Sequence, residues 1–546
     1  MLEQIHTDVL IAGGGMGGFM AAERARSSGA RVVLLTGVPG ASIRMAGFAT
    51  ALDEGPDDLP EHLFNDMFIG GGFVNNPRML AAVVGRIGAE TRFFEELGVP
   101  FVRQSDAADA PLARRQASGV SRPRAAYSTE MVGDQILKLL LERFVAADDP
   151  PVVIVENAFL VDIDTADGVA RGGLVYIPSD RHWIHVVSGA VVLATGGCGR
   201  LYRKTTNFRG STGMGYAMAL EAGVELVDME FVSFEPSVAV APERAANMEL
   251  PTMAFSDGAR LLNSQGESFI STQPPASKDV MSRAIMREVA EGRGTPAGGV
   301  YFDMSLMEPD AATSYQQIRR ILRVLDTSPA EARIEVGPTQ HYMMGGIRTD
   351  ENAATRVPGL FAVGEVAGGT HGAHRLATCG GTEVIAMGAI AGEGAAGHAL
   401  EHPSRRPAAS FAEAPNLLES EIGPRDAERL ETIRGALERG CGVLRNRDDL
   451  EGSLATLENT RRDVENDAKT ASFVGRASIV ATAIATCALR REESRGDHFR
   501  TDFPSRDDQR WLGNQLCVIR PDGKLGVWYE GLAVGGRVHE GQTGDR

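Results

Sequence analysis

The apolar positions of the chain fall into a short set of periods. Val9, Leu10 and Ile11 form a brief apolar run suited to a buried parallel strand, residues 19–26 carry helical spacing, and residues 32–35 are a second apolar run. Residues 59–102 predict helix, ending in RFFEELGVPFVR, and residues 129–144 predict an amphipathic helix. Strands are predicted at 152–156, 173–178 and 185–193, the last running into Ala194, Thr195 and Gly196; a glycine-rich turn and a helix follow over 207–222. From 235 to 336 the texture changes: strands are scarce, helices and polar loops dominate, and prolines gather near Pro274. Residues 337–392 return to a glycine-rich α/β pattern, and 415–495 predict a helical bundle followed by a loop-rich tail with short strands. The most apolar helix, 477–489, is too short to span a membrane and reads as a core helix.

The first of these patterns carries chemistry. Gly13, Gly15 and Gly18 supply GxGxxG between a strand and a helix, followed by a second strand. In that context the first glycine permits the turn, the second lets backbone approach a pyrophosphate, and the third lets helix and strand pack closely. The helix N-terminus then offers free N–H groups to phosphate. The second strand ends in Thr36, where a nicotinamide-dinucleotide site carries an acid; Thr36 can still bond a ribose hydroxyl, and the missing acid argues against NAD. Residues 39–52 are rich in small side chains, as backbone against a flat ligand requires, and 114–127 form a basic loop expected to reach the site.

Length and charge narrow the class. At 546 residues the chain is expected to hold two to four domains. The net charge of -17 argues against a nucleic-acid partner or an anionic membrane surface. The N-terminal sequence has no basic region of a secretory signal. Cys198, Cys379, Cys441, Cys487 and Cys517 form no CxxC, which excludes c-type haem and the usual cysteine-clustered iron–sulfur or zinc site; reduced thiols in a cytoplasmic protein are the expectation.

Seven segments, in order, resemble the flavoprotein subunits of succinate dehydrogenase and fumarate reductase and L-aspartate oxidase: IAGGGMGG at Ile11, VVLATGG at Val191, DMEFVSFEP at Asp228, GARLLNSQGESF at Gly258, PTQHYMMGGI at Pro338, GLFAVGEVAGGTHGAHRL at Gly359 and SRGDHFRTDFPSRDD at Ser494. The resemblance implies FAD and an α/β fold: a Rossmann-type FAD domain in two parts (1–234 and 337–405), an inserted α+β capping domain (235–336) and a C-terminal helical domain with tail (415–546). Gly13, Gly15, Gly18, Thr36, Ser42, Ala194, Thr195, Gly196, Glu365, Arg375, Cys379 and Gly380 are the cofactor candidates, with Glu365 accepting from the adenosine ribose. The helix starting near Gly381 would point its positive end at the flavin pyrimidine. His341 and Arg375 would seat a substrate carboxylate, the arginine as a bidentate clamp, and Thr252 would add a hydroxyl.

Several positions depart from the family. Ile43 follows Ser42 where covalent-FAD relatives carry histidine, so FAD is expected to be noncovalent. Phe48 and Ala49 replace a glutamine–glycine pair beside the flavin, reshaping the substrate cavity. Glu235, in FEPS, replaces the histidine that holds the second carboxylate of a dicarboxylate, and would repel that group. Lys278 replaces the proton-transferring arginine, while the later Arg283 is kept and would lower the lysine's pKa. Cys379 follows RLAT where asparagine–serine is usual, and no glutamate stands near Ala117 to read a substrate amine. These residues predict an FAD-dependent oxidoreductase moving hydride between flavin N5 and a small carboxylate other than plain succinate or fumarate. Amino-acid oxidation, with Glu235 pairing an ammonium, and a flavoprotein subunit of a multi-subunit electron-transfer complex are the alternatives. The electron acceptor is left unassigned, no membrane span is expected, and a homo-oligomer is allowed for.

Overall fold

The computed structural model describes residues 3–534 and 537–538, apart from 56–57, 108–109, 148, 272–275, 404–417 and 468–471. The expected boundary between 405 and 415, and the prolines near Pro274, lie outside the described residues. The organising layer is a five-stranded parallel sheet, in the order Leu360–Ala362, Ala190–Leu193, Val9–Ala12, Val32–Thr36, Val152–Glu156. Its side chains alternate between two cores, as the strand period requires. Val9 and Ile11 face the helices Met16–Ser27 and Cys379–Glu401. Leu10 and Ala12 face a second sheet that includes Phe159–Ala166, Val169–Ile177 and His182–Val187.

The two helices on the first face touch backbone to backbone. A Cβ on Gly392 would lie 2.3 Å from the Ala21 carbonyl oxygen, and one on Gly388 would lie 2.9 Å from that of Gly17. Only glycine allows this approach.

Four expectations are corrected here. The predicted helix over 59–102 is two helices, Pro60–Gly70 and Pro77–Leu97. Gly70, Gly71 and Gly72 break it, and Asn76 caps the second by accepting from the Arg78 and Met79 N–H groups. The run 185–193 is two strands, His182–Val187 and Ala190–Leu193, belonging to different sheets. The region after 235 is not strand-poor. It holds an antiparallel sheet ordered Val232–Ala241, Arg333–Met343, Val300–Asp303, Arg260–Leu262, with the Lys278–Ala290 helix packed on it. The first strand is buried on both faces and irregular in register between Glu235 and Val238, which erases the alternation a sequence reading needs.

The fourth concerns the apolar helix. It runs Phe473–Arg490, 18 residues, long and apolar enough by composition to cross a membrane. Here 72% of that window is buried, packed with Pro424–Gly440 and Arg447–Asn466 in the expected bundle. The tail is more ordered than expected: strand Gly513–Ile519 pairs with Leu525–Gly531 and with Leu226–Val227.

Candidate active site

The glycine turn builds a phosphate seat. Gly13 has φ +127°, and a Cβ there would lie 2.1 Å from the Ala194 carbonyl oxygen; one on Gly18 would lie 1.9 Å from that of Gly13. The helix starts directly after Gly15, which offers no side-chain cap. Ser42 Oγ instead accepts from the Met16 N–H at 2.9 Å, placing its hydroxyl at the positive helix end. Thr36 closes the second strand, half-buried. Gly196 turns with φ +73° beside Thr195, whose buried Oγ1 has no partner among the described residues. A buried hydroxyl without a partner is costly unless a ligand bonds it. Glu365 Oε1 accepts from the Met343 N–H at 3.0 Å, and its Oε2 bonds no described residue. Burial pushes this carboxyl up to about 7. Open N–H groups, an orphaned hydroxyl and a free carboxylate oxygen fit the pyrophosphate and ribose of FAD.

The Cys379–Glu401 helix starts with Thr378 in the left-handed region, φ +67°, without a side-chain cap. The Cys379 and Gly381 N–H groups donate to the Leu376 and Thr378 carbonyls, at 3.2 and 3.1 Å, so in this first turn only the Gly380 N–H is without a partner among the described residues. Gly380 lies in that first turn against the Arg375 side chain. Cys379 is fully buried, and burial pushes its thiol up to about 12, so it is an inert packing group. Phe48, expected to reshape the substrate cavity, is instead packed into the core. Its ring is fully buried and meets Phe94 and Phe101 edge-on, each at 6.0 Å, because alternate residues of the Gly47–Ala49 strand face opposite sides.

His341 lies on the Arg333–Met343 strand. Its Nδ1 is 2.8 Å from Thr206 Oγ1, and its carbonyl accepts from Asn207 Nδ2 at 2.6 Å. Burial, then Lys278 and Arg375, hold its pKa well below the usual 6.5, so the imidazole is neutral. Arg375 stacks on Tyr342, 4.5 Å from the ring centroid. Among the described residues its buried Nε has no partner and no carboxylate pairs with it. The basic loop does reach this place: a Cβ on Gly119 would meet Leu376 Cδ2 at 2.6 Å.

Across the site, Lys278 Nζ donates to Glu235 Oε2 at 2.5 Å. Glu235 is therefore not the lone carboxylate expected from the sequence. Arg283 is not the neighbour of Lys278 that was expected: it pairs with Asp279 at 2.8 Å, donates to the Gly496 carbonyl at 3.2 Å and lies over Phe499. Thr252 opens the Thr252–Asp257 turn, half-buried, and its hydroxyl bonds none of the described residues. The structure thus brings Glu235, Lys278 and His341 together, with His341 Nε2 4.0 Å from Glu235 Oε2. Reading the sequence missed Tyr342, Thr206 and Asn207. It also missed His374, whose Nδ1 meets Asp497 Oδ2 at 2.7 Å. Tyr342 could have been found as the neighbour of His341; nothing in the sequence ties Thr206 to it.

A family model described as an FAD binding domain matches residues 8–380, and one described as the fumarate reductase flavoprotein C-terminal region matches 431–537. The chain belongs to the fumarate reductase and succinate dehydrogenase flavoprotein family. It is 32% identical over 470 residues to one of the subunits of the CoM/CoB fumarate reductase of Methanothermobacter marburgensis, covering 82% of this chain and 84% of that one. It is 30% identical over 552 residues to the L-aspartate oxidase of Streptomyces coelicolor, covering 96% and 93%. A solved E. coli quinol fumarate reductase superposes with a TM-score of 0.84 at 27% identity, covering 97% of each chain. As a member of this family the chain is an FAD-dependent oxidoreductase.

Proposed function

We propose that this flavoprotein moves hydride between flavin N5 and a carbon of a small carboxylate seated on Arg375 and His341. The observation that carries the reading is Arg375, a stacked guanidinium whose buried Nε lacks a partner among the described residues, with a neutral imidazole within its electrostatic reach. A guanidinium fork matches two carboxylate oxygens, and Tyr342 holds its plane. Thr206 and Asn207 fix His341, so the substrate is oriented before reaction. Bound FAD supplies the two-electron chemistry; the chain supplies position, charge and exclusion of water. The site suits either direction, saturation or desaturation.

The test is anaerobic bleaching of the flavin, and reoxidation of the reduced flavin, across carboxylic and amino acids. Reaction with at least one acid, abolished by Arg375→Met with FAD retained, is expected; reaction undiminished in that variant rejects the seat. FAD itself is held without a covalent bond in this reading, because Ile43 follows Ser42. Acid precipitation should leave the yellow colour in solution; colour in the pellet refutes it. A second reading, a flavoprotein component of a larger assembly, has support from the M. marburgensis relative, whose own name makes it one subunit of its enzyme. The native mass of the protein from its source separates the two.

A further inference from the structure

The two positions where the far end of the cavity departs from the family, Glu235 and Lys278, are 43 residues apart in sequence and in direct contact. The Glu235 side chain is 6% exposed and that of Lys278 is 24% exposed, so the pair is sheltered but keeps one open side. His341 Nε2, on the carboxylate seat, lies 4.0 Å from the same Glu235 oxygen. The pair is therefore one short step from the seat, where the resemblance puts the holder of a second substrate carboxylate. Around it, Glu249 pairs at 3.8 Å with Arg44, adding one more acid and one more base. Lys278 and Arg44 are each met by an acid, Glu235 and Glu249, and these four charges leave no net cation for a second carboxylate.

We infer that the Glu235–Lys278 pair is a specificity device occupying the second-charge position, so that the substrate class is a monocarboxylate with an uncharged distal end. This rests on the carboxylate seat proposed above. An incoming distal carboxylate would have to displace Glu235 from Lys278, and a distal ammonium would have to displace Lys278 from Glu235. Either leaves a sheltered protein charge without a partner. A methyl, alkyl or hydroxyl end leaves the pair intact.

The test uses the FAD-loaded protein with oxidised flavin and reads binding from the perturbation of the visible flavin spectrum. Crotonate, fumarate and 4-aminocrotonate share a trans carbon skeleton and differ at the distal end. Crotonate should bind at least about ten-fold more tightly than either charged analogue. Glu235→Gln frees Lys278 and should raise fumarate affinity about ten-fold with crotonate little changed; Lys278→Met frees Glu235 and should do the same for 4-aminocrotonate. Lys278→Arg keeps the pair and should keep the preference, which guards against variants that fold poorly. Fumarate binding as tightly as crotonate to the unaltered protein, or indifferent to Glu235→Gln, overturns the inference while leaving the seat standing. Binding of all three that is unaffected by Arg375→Met, or no binding at all, overturns the seat and the inference with it.

Discussion

Arg491 and Arg375 are both arginines drawn out of bulk water, and they are treated in opposite ways. Arg491 is fully buried and its donors are taken: Nε by Glu230 at 2.5 Å, Nη1 by Glu493 at 2.9 Å and the Trp511 carbonyl at 3.0 Å, Nη2 by the Gly513 carbonyl at 2.9 Å. Glu493 in turn holds Arg495 at 2.7 Å, and Arg495 reaches the Gly72 carbonyl at 2.6 Å. This closed network joins the C-terminal segment to the rest of the protein. Arg375 has an aromatic ring below it and no described carboxylate beside it. A buried charge with every nitrogen bonded by the protein has little left for a ligand. One with an open fork holds its binding capacity in reserve.

The contrast can be broken by matched substitutions. Arg491→Met should cost about 3–5 kcal/mol of stability, seen as a large drop in melting temperature or loss of soluble protein, because Glu230 is left buried without a cation and Glu493 keeps only Arg495. A melting temperature within a degree or two of the parent would remove the structural role. Arg375→Met should leave melting nearly unchanged and lower kcat/KM by roughly 100-fold, about 2–3 kcal/mol of lost charge-assisted bonding. An equal loss of stability in both variants would erase the distinction.

A smaller effect sharpens the comparison at a third sheltered charge. Burial raises the Glu365 carboxyl from its ordinary 4.5 to about 7. In the flavin-free protein this disfavours the ionised form, so the stability it contributes below 4.5 is lost as pH rises through about 7. In the proposed FAD site ribose hydroxyls donate to Glu365 and favour the ionised form, so FAD affinity should rise about ten-fold from pH 6 to pH 8. Fluorescence titration of FAD binding measures it. Glu365→Gln should bind FAD more weakly and flatten the profile; a profile unchanged by that substitution would discard the role.

What could be read from the sequence followed the range over which each feature is encoded. Gly13, Gly15 and Gly18 act within one turn, so the phosphate seat was visible from the residues alone. The positions of Arg375, His341 and Glu365 came with motifs of a few residues each. The Val232–Ala241 strand was not visible, because it is buried on both faces, holds Pro236 and is bulged. The Glu235–Lys278 contact depends on a sheet and a helix meeting, so two charges read separately gave repulsion where the fold gives a pair. The Arg491 network was hidden for the opposite reason. A segment reading RREESRGDHFR looks like a solvated surface, and only the Phe473–Arg490 helix and the Gly513–Ile519 strand enclose it.

The contact between Gly392 and Ala21 ties together two helices that run side by side in the same direction. In the proposed FAD site the start of Met16–Ser27 meets the pyrophosphate and the start of Cys379–Glu401 meets the flavin. Because their backbones touch, with a Cβ on Gly392 only 2.3 Å from the Ala21 oxygen, the pair behaves as a spacer block that fixes how far apart the two helix starts stand. Any side chain added between them would wedge the starts apart. In the proposed FAD site the spacing of two grips on one ligand is thus set by glycines well inside the helices, away from either grip.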